Sequence, residues 1–298
     1  MWGKCIVEDI LRPIYQERAS QANTMGILLI EKKEKTIPVT DSFDVILFIV
    51  VNDADQPILI KHYSYQGKKA AMHIVTEEVL NEWLQLGSNR KAVEWIHSGK
   101  ILFDRNEFLH NLKDTLWESP FKDRKLKMGL EFAKLIRRYT NGKAFFERQQ
   151  YLDAYNDIVH SLHHLARLSV IEKGFHPEVT VWPQVRKIEP EVYKLYYELV
   201  NSEEPLEKRL ELLFLAGEFL IHSRTKLGAD HIIGVLKTMD QWSFNEIYKH
   251  PELQLYSVDL EVLFEYLIDR HFIEVLHIET KGQGIFHRHY RVAEKYYL

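Results

Sequence analysis

One cysteine, Cys5, stands among 298 residues, so no disulfide can close within the chain and no multi-cysteine zinc or iron–sulfur site can form. Long hydrophobic runs are missing as well. The longest unbroken apolar stretch, Val45–Val51, has seven residues, against the roughly 20 that cross a bilayer. The opening MWGKCIVEDILRP lacks the apolar core and small-residue cleavage site of a secretory leader. A cytoplasmic, disulfide-free protein with no membrane partner is the expectation. Net charge is scarce too: 39 basic residues against 43 acidic ones leave −4, which supplies no global attraction to nucleic acid or anionic lipid. Neither internal repeats nor low-complexity segments occur.

What is present divides the chain into regions, as expected when a chain of this length exceeds one compact core. In the first region the pattern predicts an amphipathic helix over 7–18, then strands over 26–31, 44–51, 58–63 and 69–75. The apolar period after Thr76 predicts a helix, and GKILFD (99–104) a further strand. From about residue 120 the spacing becomes helical, with apolar residues at three- and four-residue steps through 126–139 and 152–168. FHPEVTVWPQVRKIEP (175–190) carries three prolines, which predict an ordered loop between helices. Helical spacing then resumes over 191–200 and 206–221. The last region predicts a helix over 231–239, a Ser243-x-x-Glu246 capping box, a helix from Ser257 to Arg270, and a hairpin of 273–279 with 285–292. That order is a winged helix-turn-helix. The predicted fold is α+β: a mixed sheet with helices, a helical bundle and a C-terminal winged helix, over 1–118, 119–226 and 227–298.

The stretch TDSFDVILFIVVN (40–52) opens the longest apolar run with two acids, Asp41 and Asp44. A strand, a polar turn, about ten residues of loop and an acid-initiated apolar strand together resemble the nucleotidyltransferase superfamily core. There a Gly-Ser turn contacts nucleotide phosphates, and an Asp-x-Asp/Glu pair holds two Mg²⁺ ions that clamp the attacking and leaving oxygens. Here Glu31-Lys32 stands where Gly-Ser belongs. The two acids are three apart, so a bulge at Ser42-Phe43 is needed to turn them to one side. Asp104 is the candidate third carboxylate, since Met72 and His73 cannot serve as hard oxygen ligands. Each aspartate also has a plainer reading: Asp41 and Asp44 as caps of a loop-to-strand junction, Asp104 as a turn residue at a strand exit.

A narrower resemblance is carried by GILLIE (26–31), FDVILF (43–48), WIHSGKILFDRNE (95–107), EFAKLIRRY (131–139), YLDAYNDIVHSLHHLARLSVIEKGFHPEVTVWPQV (151–185) and RLELLFLAGEF (209–219). Over nearly its whole length the chain is similar to the YgxA-like family of nucleotidyltransferase-like proteins. The resemblance implies a nucleotidyltransferase-like domain, a helical substrate-binding domain and a C-terminal helix-turn-helix. It implies a nucleotide or nucleotide-bearing substrate in the cleft between the first two domains, with transfer reduced or lost. If transfer survives, Asp41, Asp44 and Asp104 hold Mg²⁺ as catalytic and metal residues, and basic residues of the helical domain orient the triphosphate: Lys134, Arg137, Arg138 and Arg167. Trp182, Gln184, Arg186, Asp153 and Asn156 are candidates for the second wall of the cleft. His160, His163 and His164 share a helical neighbourhood, either as ligands or as ordinary helix histidines.

The competing function is a transcriptional regulator that binds DNA through the winged helix. Glu261, Glu265 and Asp269 recur at i, i+4 and i+8 on the presumptive recognition helix, with Asp259 nearby and only Arg270 basic. Such a face repels phosphates. Lys281, Arg288 and Arg291 leave a mildly basic wing. A protein contact or homodimerisation through this domain is therefore favoured over DNA reading.

Overall fold

A computed structural model describes residues 6–32, 39–118, 124–282 and 284–296. Cys5 and most of the expected loop KKEKTIPVT lie outside them. The chain forms two units, one of residues 1–122 with 177–180, the other of residues 123–176 with 181–298.

In the first unit, helix α1 (Ile6–Ser20) leads into strands β1 (Thr24–Glu31), β2 (Val45–Val51), β3 (Ile58–Tyr65) and β4 (Lys68–Thr76). Helices α2 (Glu77–Leu86) and α3 (Arg90–Ser98), strand β5 (Lys100–Asp104) and helix α4 (Phe108–Glu118) complete it. The five strands lie in the order β3-β4-β2-β1-β5. β2 and β4 are parallel and the other neighbours antiparallel, the mixed sheet expected. The apolar run in β2 follows from its central place. Ile46, Phe48 and Val50 face a core shared with Leu80, Trp95, Ile96 and Leu109, while Val45, Leu47, Ile49 and Val51 face one shared with Leu11. A strand covered on both sides has no polar face to alternate. Thr76 caps α2, its hydroxyl accepting from Val79 N–H at 3.4 Å. Asn89 does the same for α3 through Ala92 N–H at 3.1 Å.

The second unit pairs long helices α5 (Arg124–Glu147) and α6 (Tyr151–Glu172), followed by α7 (Val181–Ile188), α8 (Pro190–Asn201) and α9 (Leu206–Leu236). The proline-rich stretch is not all loop. Pro183 sits in the first turn of α7, where its missing N–H would have had no helical partner, and Pro190 opens α8. The helix expected over 231–239 is the end of α9, so the boundary expected after residue 226 falls inside one 31-residue helix. Strand β6 (Trp242–Ser243), helices α10 (Phe244–Lys249), α11 (Pro251–Gln254) and α12 (Leu260–Asp269), and strands β7 (Ile273–Glu279) and β8 (Phe286–Val292) form the winged helix. Its sheet order is β6-β8-β7. The Ser243–Glu246 capping box is complete in both directions.

One glycine lets this module seat on the bundle, and another lets α9 close on α5. A Cβ on Gly129 of α5 would lie 2.2 Å from Tyr256 Oη, and one on Gly228 of α9 would lie 2.2 Å from Phe132 Cγ. Arg137 of α5 pairs with the buried carboxylate of Asp259, and Thr225 Oγ1 lies 2.9 Å from Tyr266 Oη.

Candidate functional site

Asp41 and Asp44 flank a turn at the edge of the five-stranded sheet where β2 begins. Asp41 adopts a left-handed backbone with φ of 51°, a conformation aspartate tolerates better than most residues. Both its carboxylate oxygens accept from Lys91 Nζ at 2.6 Å, and Lys32 Nζ donates to its carbonyl at 3.3 Å. Asp44 is fastened to the neighbouring strands. Its carboxylate accepts from Lys69 N–H at 2.9 Å, its own N–H donates to Lys69 O at 2.8 Å, and its carbonyl accepts from Lys32 N–H at 2.9 Å. Lys68 Nζ stands 3.9 Å from its other oxygen. Beside it Tyr63, Tyr65, Lys68, Lys69 and Ile14 line a cavity of about 200 Å³.

Lys91, His62 and His73 were not among the expected site residues. His73 packs on Trp95 with ring centroids 4.9 Å apart, and His62 on Phe43 at 4.7 Å. Burial, then His62 and Lys91, hold the His73 imidazole below its ordinary value against the pull of Asp41. The sequence signal for Lys91 was the Asn89 cap, which begins a helix one turn before Trp95.

Asp104 does not join this edge. It lies opposite Gly26, and Gly26 lies opposite Val50. Six residues of β2 therefore separate its level from Asp44, about 20 Å at strand rise. Its carboxylate caps α4, accepting from Leu109 N–H at 2.8 Å and His110 N–H at 3.1 Å, with His110 Nδ1 at 2.5 Å. Asp41, Asp44 and Asp104 are thus no metal-binding triad. Among the described residues no group of three or more His, Cys, Asp or Glu could hold a metal ion. At this edge only Asp41 and Asp44 remain of the expected set, the first engaged by Lys91 and the second by Lys69 N–H.

The basic residues expected to orient a triphosphate are already paired. Arg138 reaches Asp157 at 2.7 Å, Arg167 reaches Glu131 at 3.0 Å, Lys134 lies 3.9 Å from Glu131, and Arg137 binds Asp259. A phosphate arriving there would meet the carboxylates as well as the cations, so the triphosphate role is not supported. His164 Nδ1 lies 2.7 Å from Glu131. Burial raises the Glu131 carboxyl, but the His164 hydrogen bond and the charges of Arg167, His164 and Lys134 outweigh it and hold the group at about 2. Burial is the largest influence on His164 and keeps it below its ordinary value against the pull of Glu131, and Arg167 Nη2 lies 2.7 Å from the same Nδ1. The three histidines do not converge: His163 packs edge-on to Trp182 at 5.1 Å, and His160 is exposed. Trp182 stacks on Tyr196 at 4.2 Å with 5° between the planes, an internal packing role. Exposed Asp153, Asn156 and Arg186 and half-buried Gln184, the last donating to His176 O at 2.9 Å, complete that set.

On the winged helix the wing arginines face acids: Arg288 reaches Glu265 at 2.9 Å and Arg291 reaches Glu274 at 2.8 Å. Glu261, Glu265 and Asp269 are exposed on α12. No cationic face for a groove results.

Sheet, bundle and winged helix together define a nucleotidyltransferase-like protein with a substrate-binding-type helical region and a helix-turn-helix. Family models agree: Nucleotidyltransferase-like over residues 7–124, YgxA-like substrate binding domain over 125–224, and Helix-turn-helix domain over 230–292. The chain is 54% identical over 284 residues to the protein YgxA of Bacillus subtilis (strain 168), covering 95% of this chain and 97% of that one. It is also similar to the crystal structure of a nucleotidyltransferase-like protein from Exiguobacterium sibiricum 255-15, with TM-score 0.79 and 40% identity over 96% of this chain and 99% of that one. The chain belongs to the YgxA-like family of nucleotidyltransferase-like proteins.

Proposed function

We propose that this protein binds a nucleotide at the lysine-bearing sheet edge and has lost metal-dependent nucleotidyl transfer. One observation carries the reading: the Lys91 ammonium stands 2.6 Å from both carboxylate oxygens of Asp41, a cation on the carboxylate expected to hold a divalent ion. Four lysines (32, 68, 69 and 91) meet three carboxylates (31, 41 and 44) at this edge, an excess of one positive charge. The tyrosine-lined cavity beside Asp44 suits a base or sugar, and Lys68 and Lys69 at its rim suit phosphates. Two-metal transfer needs carboxylates that hold both ions around the reacting oxygens. Asp104 capping a helix at the far end of the sheet supports the loss of that chemistry.

Isothermal titration of the full chain with ATP, GTP, CTP and UTP tests the reading, in Mg²⁺ and again in EDTA. Binding of at least one nucleotide, unchanged by EDTA and weakened about tenfold in K68A/K69A, is expected from the loss of charge-assisted contacts. Binding that requires Mg²⁺, or Mg²⁺-dependent incorporation of α-phosphate label into an acceptor, overturns it.

A further inference from the structure

A second cavity, of about 280 Å³, opens at the opposite end of the same sheet, beyond the C-terminal ends of β4 and β5. Asn81, Asn106, Asn111, Thr115, Glu77 and Phe108 supply its walls. Ligands of parallel strand systems gather at this end of a sheet, and the distance to Asp44 makes it a separate site from the lysine edge.

Its floor is built rather than incidental. Asn106 and Glu107 both have left-handed backbones, with φ of 53° and 57°. Two consecutive non-glycine residues in that region are strained and persist only where neighbours impose them. The neighbours are on both sides: Arg105 Nε donates to Thr24 O at 2.7 Å and its Nη2 to Gln21 O at 3.1 Å, and Asp104 anchors the start of α4. The loop is thereby held with its asparagine presented to the cavity.

The lining selects a chemistry. Among the described residues, no hydrogen bond or ion pair engages the side chains of Asn81, Asn106, Asn111 or Glu77, while the Thr115 hydroxyl donates to Asn111 O at 2.8 Å and keeps only acceptor capacity. A carboxamide offers a donor and an acceptor side by side, the complement of a heterocycle with an amino group next to a ring nitrogen. A carboxylate accepts from such an amino group and repels phosphate. Arg105, committed to two carbonyls and lying over the Phe103 ring at 5.3 Å, offers no open fork for an anion. Phe108 and Leu112 give apolar surface for a flat ring.

We infer that this cavity is a binding site for an uncharged, amino-bearing nucleobase or nucleoside of the adenine or cytosine type. Titration calorimetry of the full chain with adenosine, cytidine and uridine, none carrying phosphate, tests it. Adenosine or cytidine binds and uridine does not. The double variant N81A/N111A, at exposed helix positions and with an unchanged unfolding temperature, binds that nucleoside about tenfold more weakly, as two lost hydrogen bonds require. Three results overturn the site: no heat from adenosine or cytidine at about 1 mM, equal binding of uridine, or unaltered affinity in N81A/N111A. None of them bears on the lysine edge, which K68A/K69A probes independently.

Discussion

Glu131 shows how one side chain's surroundings set its role. Its carboxyl is held at about 2, below an ordinary 4.5, by His164, Arg167 and Lys134. A depressed carboxylate contributes stability above the unfolded value and loses it as pH falls through the folded one. The contribution is complete above about pH 4.5 and fades toward pH 2. Glu131→Gln leaves Arg167 without its buried counter-charge, and urea unfolding at pH 7 is expected to show a loss of about 3 kcal/mol. The two proteins should converge in stability as the pH approaches 2; an equal gap at pH 7 and pH 2 would exclude the ion-pair account. At the same scale, the sequence left Asp104 open between a metal ligand and a turn residue. Neither type nor spacing could decide, because an aspartate at a strand exit does either, and only the amides of Leu109 and His110 show that it caps a helix.

At the scale of elements, the strands of the first unit and the helices of the second were legible because each carries its own period. The apolar run of β2 was visible as a strand, though only the sheet order shows that it is central and covered on both faces. The helix α7 was missed because proline was read as a breaker throughout, whereas in a first turn it breaks no hydrogen bond. Helix–helix distance was not legible at all. Gly228 looks like a weak point in α9, yet its missing side chain is what admits the buried ring of Phe132. Gly228→Ala gains up to about 1 kcal/mol of helix propensity and loses about 1–3 kcal/mol to overpacking. A lowered melting temperature in scanning calorimetry is expected, with partial recovery in G228A/F132L; a raised one would show that the ring can move aside.

For the whole molecule, charge decides between the two functional readings. The net −4, the exposed acids of α12 and the wing arginines paired to Glu265 and Glu274 make the winged helix a poor match for duplex phosphates. Fluorescence anisotropy with random-sequence duplex DNA is expected to show no binding at about 0.15 M salt. E261K/E265K/D269K should create a measurable, steeply salt-dependent affinity. Tight binding by the unmodified protein would favour the regulator instead. Among the described residues no helix is long and apolar enough to cross a membrane.

The sequence alone determined where most helices and strands form, that the first sheet is mixed, and that its last region is a winged helix, because periodicity, caps and turns act between residues a few positions apart. Tertiary structure decided which charges meet. Asp41 finds Lys91 across 50 positions and Arg137 finds Asp259 across 122, while Asp44 and Asp104, both at strand ends, are carried to opposite edges by the antiparallel course of β1. Coulomb and hydrogen-bond energies depend on distance in space, which no local pattern records.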